Sequence, residues 1–289
     1  HNAGFVEDTV RLLASKGLTY EKDGALWFRT TEFGCGKDDV LRKNNGFYSY
    51  FAVDIAYHRD KFLVRGFDRV INVWGADHHG QVARLKAAMQ AIGVDPDRLE
   101  IVLMQLVNLM RDGEIVRMSK RTGKAVSLSD LLDEISVDAA RFFFNLRKYD
   151  TKLDFDLDLA VRSDADNPVY YVQYAHARIC SLLKNLAEAG IRPSAAHLDC
   201  LTEPEETALI KLLASLPDEL LLAARERDPS RVNKYLVAAA AAFHRFYNAC
   251  RIKGAGAPYE EARAYLAART RDIIAACLAI IRVDAPEHM

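Results

Sequence analysis

Three short segments of this 289-residue chain carry side chains whose types and spacing could do chemistry. The first is Arg117-Met118-Ser119-Lys120-Arg121-Thr122-Gly123, a lysine and two arginines beside small residues, entered from a short apolar run that starts at Ile115. Cations in such a loop can close over phosphates and stabilise the charge that builds on a transferring α-phosphate and its pyrophosphate leaving group. Between Arg111 and Lys124 five basic residues (Arg111, Arg117, Lys120, Arg121, Lys124) accompany two acidic ones (Asp112, Glu114), and on composition alone the plainer reading is a solvated basic turn. The second segment runs from Tyr50 to His58, with Tyr50 and Asp54 four residues apart and so on one face of a helix. A carboxylate such as Asp54 can accept two parallel N–H bonds from a planar guanidinium, which selects arginine over lysine, while Tyr50 offers a ring face or a hydroxyl. The alternative is a helix whose Asp54 pairs with a surface cation. The third is Gly75-Ala76-Asp77-His78-His79-Gly80-Gln81, where an apolar strand gives way to a helix and free backbone N–H groups suit nucleotide or carboxylate oxygens. A metal site at Asp77, His78 and His79 is the weaker reading, because adjacent histidines diverge and no His-Glu-x-x-His or cysteine partners accompany them; no metal ligand is expected.

A fourth group sits on long helices nearer the C-terminus. From Asn167 to Gly190, Val172, Ala175, Ile179, Leu182, Leu183 and Leu186 form an apolar stripe, with Tyr171, Tyr174 and Arg178 together on its flank. Aromatic rings beside a cation can stack unpaired bases and hold phosphate; tyrosines that merely close a bundle edge, hydroxyl outward, are the alternative. Tyr247 and Arg251 lie one turn apart beside the stripe Val232, Leu236, Ala239, Phe243, Phe246 and Cys250.

These residues must be held by two kinds of architecture. The first part reads as a helix over Val6–Ser15, a hairpin through Leu18–Tyr20 and Ala25–Arg29 turned at Asp23-Gly24, a helix over Ala52–His58, and a strand–helix–strand unit. That unit consists of Val70–Trp74, a helix from His79 with Val82, Leu85, Met89 and Ile92 on one face and Gly93 as its stop, and one long strand Ile101–Leu109. Such a unit builds a parallel sheet, with ligands at the carboxyl ends of its strands. Serine-capped helices follow at Ser129–Ile135 and Ser136–Arg147, then an acidic-apolar alternation at Leu153–Leu159. From Asn167-Pro168 onward everything reads helical, with further helices at Glu205–Leu216, Ser230–Arg251 and Glu260–Ile281 joined around Pro217, Pro229 and Gly254–Pro258.

Composition agrees with a cytosolic globular chain and excludes little else. Half of the residues are hydrophobic, the formal net charge is −1, no apolar run is long enough to span a bilayer, and the first residues lack the layout of a signal peptide. Five scattered cysteines (Cys35, Cys180, Cys200, Cys250, Cys277) without a Cys-x-x-Cys pair indicate reduced, mostly buried thiols. A net charge near zero does not advertise a nucleic-acid binder, so any such role must come from local clusters.

The motifs together resemble a family. Arg117–Gly123 is similar to the Lys-Met-Ser-Lys-Ser signature of class I aminoacyl-tRNA synthetases, with Arg117 for the first lysine and Lys120 keeping the second. Tyr50–His58 resembles the arginine-pocket segment, and Asn167–Arg178 the first anticodon-domain helix, of bacterial-type arginyl-tRNA synthetases. Asp138-Ala139-Ala140-Arg141 resembles the motif that names this class of anticodon domains, and a structural role is expected for Arg141. The resemblance implies α/β plus all-α architecture: the second half of a class I Rossmann-like catalytic domain with part of its insertion (1–126), a stem-contact connector (127–167) and a helical anticodon-binding bundle (168–289). It implies ATP-dependent activation of arginine and transfer to tRNA(Arg), with Mg2+ at the phosphate stage. Lys120, Arg117 and Arg121 would be catalytic; Tyr50, Asp54 and His78 would bind arginine; Gly75, Asp77, His78, Met118, Ser119 and Lys120 would bind ATP. Tyr171, Tyr174, Arg178, Tyr247, Arg251 and the terminal Met289 would face the anticodon. A monomer is expected, without DNA or membrane partners. The family's His-x-Gly-His signature has no counterpart in this sequence, so a fragment that is inactive alone is expected. A tRNA-binding module without catalysis and another class I synthetase, such as the cysteinyl enzyme, are the competing readings.

Overall fold

The computed structural model describes residues 4–116 and 127–289. The chain divides into two compact units, His1–Leu106 and Val107–Met289.

In the first unit, α1 (Phe5–Ser15) buries Val6, Val10 and Leu13, the spacing of a one-sided apolar stripe. β1 (Thr19–Lys22) and β2 (Ala25–Phe28) form the expected hairpin, turned at Asp23 and Gly24, whose positive φ angles (53° and 73°) match the twist of the flanking strands. A strand the sequence did not announce, β3 (Asp39–Arg42), adds to β2 across a register shift at Leu26 and Trp27. α2 (Tyr50–Arg59) is capped by Ser49, whose hydroxyl accepts from the Ala52 N–H and donates to the Val40 carbonyl. It continues into a π-helical turn, Asp60–Val64. β4 (Val70–Gly75), α3 (Val82–Ile92) and β5 (Leu99–Met104) make the expected crossover, with β4 and β5 parallel from Val70↔Leu99 to Gly75↔Met104. Phe28, Leu41, Ile55, Leu85, Met89 and Leu99 fill the core beneath them.

Several boundaries differ from the expectation, among them the start of α2 at Tyr50 rather than Ala52, and two differences bear on the site and the topology. Residues 76–81 wind as 3-10 turns, so α3 begins at Val82 rather than His79; tighter turns at a helix start are common where the first N–H groups have no partner. The long strand Ile101–Leu109 is two strands. β5 ends where its partner β4 ends, and β6 (Val107–Arg111) belongs to the second unit, in another sheet. A continuous apolar run cannot report where a hydrogen-bonding partner stops.

In the second unit β6 pairs antiparallel with β7 (Glu114–Ile115) and parallel with β8 (Leu153–Asp156). The first four residues of the acidic-apolar alternation Leu153–Leu159 are thus a strand with Leu153 and Phe155 inside and Asp154 and Asp156 outside, and the rest begins a short helix. α4 (Leu128–Glu134) starts one residue earlier than expected, because Ser127 and Asp130 form a reciprocal cap. α5 (Val137–Phe144) is capped by Ser136 and stops three residues short of Arg147. After α6 (Leu157–Ala160) comes the bundle: α7 (Pro168–Glu188), α8 (Pro204–Ala214), α9 (Leu216–Glu226), α10 (Ser230–Ala249) and α11 (Tyr259–Ile280). The linker expected around Pro217 is itself a helix, α9. Proline in the first turn starts a helix, Asp218 and Glu219 follow it there, and the segment is amphipathic although it buries no residue completely. α10 carries Leu236, Ala239, Phe243 and Phe246, all fully buried, into the core.

Asn167 begins α7 as expected and does more than cap it. Buried to 3% exposure, its Oδ1 accepts from Val169 N while Nδ2 donates to the Ala160 and Arg162 carbonyls. Asn167→Ala removes a cap worth about 1 kcal/mol and strands buried carbonyls, so a loss of roughly 2–3 kcal/mol in urea denaturation of the second unit is expected.

The Asp138–Arg141 segment is structural, as expected for Arg141. Asp138 accepts from Gln173 Nε2 and from the Asp284 N–H, Arg141 Nε donates to the Ile281 carbonyl at 2.9 Å, and Ala139 and Ala140 are buried. All five cysteines are free thiols; Cys250 and Cys277 are buried, but Cys35, Cys180 and Cys200 are only partly so, short of the mostly buried set expected. Among the described residues no helix is long and apolar enough to cross a membrane.

Candidate functional site

In the first unit, α2 presents Tyr50 and Asp54. Tyr50 stands at the first turn, 89% exposed, beside a groove lined by Trp27, Lys37, Lys43, Phe51 and Arg84. Asp54 lies one turn on and is half-buried, yet among the described residues its carboxylate takes neither a hydrogen bond nor an ion pair. Burial raises its pKa, against the opposing pull of His58, Arg84 and Lys61. Arg84 is engaged elsewhere, bonded to Asp39 at 2.9 Å. A partly desolvated carboxylate without a direct partner gains from an incoming cation more than a surface carboxylate would.

At the carboxyl end of β4 the backbone turns through residues 76–81. Asp77 folds back so closely that a Cβ on Gly75 would lie 2.5 Å from its Oδ1, so a side chain at position 75 would displace the exposed Asp77 carboxylate from this pose. His78 Nδ1 accepts from Gln81 Nε2 at 2.9 Å, which leaves the proton on Nε2, 3.7 Å from Asp77 Oδ2. His78 also meets the Trp74 ring edge-on. His79 instead bonds the Ala76 carbonyl. Both Asp77 and His78 stay exposed. The expected catalytic and phosphate residues Arg117, Met118, Ser119, Lys120 and Arg121 lie outside the described residues.

In the second unit, α7 and α10 bring four of the expected residues together. The Arg178 guanidinium lies 4.5 Å above the Tyr247 ring, and Tyr170 and Tyr174 stack in parallel. The residue that joins them, His244, was not among the sequence candidates. Its ring meets Tyr171 at 5.3 Å and Tyr174 at 6.2 Å, and its Nδ1 accepts from Arg178 Nη1 at 3.4 Å. Its position three residues before Tyr247, on the same face of α10, was the available signal. Arg251 does not join: α10 ends at Ala249, Cys250 is extended, and the Arg251 guanidinium turns back to the Lys253 carbonyl. The expected helical pairing with Tyr247 is therefore not made, because the last turn unwinds before it reaches Arg251. The chain end is tied to α7 by Gln173, which donates to the Asp284 carbonyl, and by His176 Nδ1, which donates to the Pro286 carbonyl; Met289 beyond them is 56% exposed.

Burial and, secondarily, Arg178 hold the His244 pKa below the ordinary imidazole value. The unfolded chain therefore binds this proton first. The contribution is fully present above about pH 6.5, the unfolded value, and is lost as pH falls from there through the lower folded value. A histidine NMR titration should find His244 neutral at pH 7 with a midpoint clearly under 6.5; a midpoint at or above 6.5 contradicts the packing described.

The family model for the catalytic domain of class I (R) tRNA synthetases matches residues 3–160, more than half of the chain. The chain belongs to this family. A second model, for the DALR anticodon binding domain, matches residues 172–289, so the helical bundle from within α7 to the end carries that resemblance. Arginine–tRNA ligases of Caldanaerobacter subterraneus and Ruminiclostridium cellulolyticum are each 52% identical over the whole of this chain, which spans 52% of their length. A Campylobacter jejuni structure assigned as an arginyl-tRNA synthetase superposes with a TM-score of 0.86 at 34% identity, covering 98% of this chain and 62% of that one. The Thermus thermophilus arginyl-tRNA synthetase, at 23% identity and TM-score 0.85 over 99% of this chain and 58% of its own, shares the fold. The class I (R) membership gives β4, α3 and β5 their place as part of a synthetase catalytic domain, and its relatives are arginine enzymes rather than cysteinyl ones.

Proposed function

We propose that this chain carries the amino-acid pocket and the anticodon reader of an arginine–tRNA ligase. In that reaction the arginine carboxylate attacks the α-phosphorus of ATP and displaces pyrophosphate. A terminal ribose hydroxyl of tRNA(Arg) then attacks the carbonyl of the adenylate and releases AMP. Asp54 is the guanidinium acceptor, with Tyr50 as its neighbour on α2; Gly75, Asp77 and His78 serve the nucleotide and amino-acid side. Lys120, Arg117 and Arg121 stabilise the phosphate transition state, and Met118 and Ser119 line the same loop. Mg2+ enters with the ATP polyphosphate as part of the substrate. The division of labour follows residues 1–126 for activation, 127–167 for the tRNA stem and 168–289 for the anticodon, in a cytoplasmic monomer without DNA or membrane partners.

The observation that carries this reading is the half-buried Asp54 carboxylate, which has no direct partner among the described residues of a class I (R) chain. Because the chain spans about half the length of its curated relatives and lacks a His-x-Gly-His segment, it is proposed to be inactive alone in ATP–pyrophosphate exchange.

A specific second reading, that the chain acts only as an RNA-binding module, draws on the face of Tyr171, Tyr174, Arg178, His244 and Tyr247. Titration with arginine-accepting tRNA and an anticodon-swapped control, at two salt concentrations, tests the anticodon assignment. Tight, anticodon-dependent binding that weakens with salt is the expected result, since phosphate contacts release counterions. Equal, weak binding of both RNAs contradicts it. Tyr174→Ala is expected to weaken binding of the cognate RNA by about 1–3 kcal/mol, the usual worth of one stacked base.

A further inference from the structure

Asn72 is a polar residue in the middle of a parallel strand, 9% exposed, with Val70 two residues before it on the same buried face. A buried amide costs free energy unless its hydrogen bonds are made, and an apolar side chain of similar size would pack as well. Here both polar atoms of the side chain have a partner. Asn72 Nδ2 lies 2.8 Å from His58 Nε2, and His58 Nδ1 lies 2.7 Å from the Asp54 carbonyl oxygen. The carbonyl can only accept, so His58 Nδ1 carries the hydrogen. The amide nitrogen only donates, so His58 Nε2 is bare. On its other side Asn72 Oδ1 faces Lys61 Nζ at 3.5 Å, which fixes the orientation of the amide. Lys61 sits on the π-helical turn that follows α2, an irregularity found often at functional sites.

The chain Lys61, Asn72, His58, Asp54 carbonyl therefore joins α2 at the turn that carries the Asp54 carboxylate to β4 three residues before Gly75. We infer that His58 and Asn72 are positioning residues for the guanidinium site, holding Asp54 in register with the loop that begins at Gly75 through a neutral, single-tautomer imidazole. Burial, acting against the bonds to Asp54 and Asn72, also keeps His58 in its neutral form. The inference rests on Asp54 being the guanidinium acceptor.

The test uses the full chain with L-arginine, by isothermal titration calorimetry, together with long-range 1H–15N NMR of the histidine rings. Wild type is expected to bind arginine and to show His58 as the pure Nδ1–H tautomer. Asn72→Leu, which fills the space but cannot donate, is expected to mix the tautomers and to weaken arginine binding on the order of tenfold, the lower end of what supporting hydrogen bonds contribute at metal sites. Asn72→Asp offers only acceptors, so it should convert His58 to imidazolium at pH 7 and weaken binding similarly, at unchanged side-chain size. Binding within twofold of wild type in a folded variant whose His58 signature has changed overturns the inference. Asp54→Asn separates the two levels: if it binds arginine as wild type does, the guanidinium reading fails and the positioning role falls with it. If Asp54→Asn loses binding while both Asn72 variants keep it, only the positioning role fails. A wild-type chain that takes up no arginine overturns both.

Discussion

Asp54→Asn is expected to lower the affinity of this chain for arginine by roughly 100-fold while leaving it at least as stable. The binding loss follows from geometry and charge. A carboxylate can take two parallel N–H bonds from a guanidinium, each worth about 1.5 kcal/mol or more when charged, whereas an amide keeps one acceptor and turns a donor toward the cation. The stability expectation has the opposite source. Burial raises the folded-state pKa of Asp54 above its unfolded value, so at pH 7 the ionised side chain opposes folding and replacing it relieves that cost. Binding and folding are thus predicted to move apart, which a general packing defect cannot produce. Calorimetric titration beside thermal denaturation decides the matter; equal affinity in both proteins, or a parallel fall in stability, contradicts the assignment. Arginine binding to wild type should also fade with acidification through a midpoint above the usual carboxylate value, because the protonated carboxyl no longer attracts the cation.

The second large effect is expected at Glu206. Its carboxylate is fully buried, accepts from Arg263 Nε at 2.6 Å and from the Glu203 N–H at 2.9 Å, and so ties the start of α8 to α11. Arg263 in turn donates to the Arg251 carbonyl, holding the chain where α10 has ended. Glu206→Ala leaves a guanidinium buried without its anion, a loss of about 3–5 kcal/mol. For a unit of this size that is a fall of roughly 10 °C in melting temperature. Replacing both members, Glu206→Met with Arg263→Met, is expected to recover most of the loss, because no unpaired charge remains. Calorimetry that found the double variant as unstable as Glu206→Ala would show that shape rather than charge pairing matters at this site.

Much of the fold was legible in the sequence because it is set locally. Asp23-Gly24 dictates a turn with two positive φ angles, Gly93 stops α3, and Asn167-Pro168 opens α7; each acts through its own backbone or its nearest neighbours. The candidate residues Tyr50 and Asp54 were legible for the same reason, since four-residue spacing on a helix places side chains on one face. The reading failed where a distant partner decides. β3 exists because β2 offers an edge, and β5 ends because β4 does. α9 carries its own local signals, Pro217 and an acidic first turn, whereas nothing local showed that α10 would unwind before Arg251.

By itself, then, the sequence determined most of the helices and turns and the motifs that mark a class I synthetase, and it named the residues proposed to meet arginine and RNA. Only the tertiary structure decided that His244 would complete the tyrosine and arginine cluster from 66 positions away, that Arg251 would be drawn out of it, and that Asn72 would meet His58 across 14 residues. The physical reason is range. Backbone conformation and helical facing are governed by neighbours a few residues apart, whereas ring contacts and buried hydrogen bonds are directional over about 3 to 6 Å, so they depend on how whole elements pack.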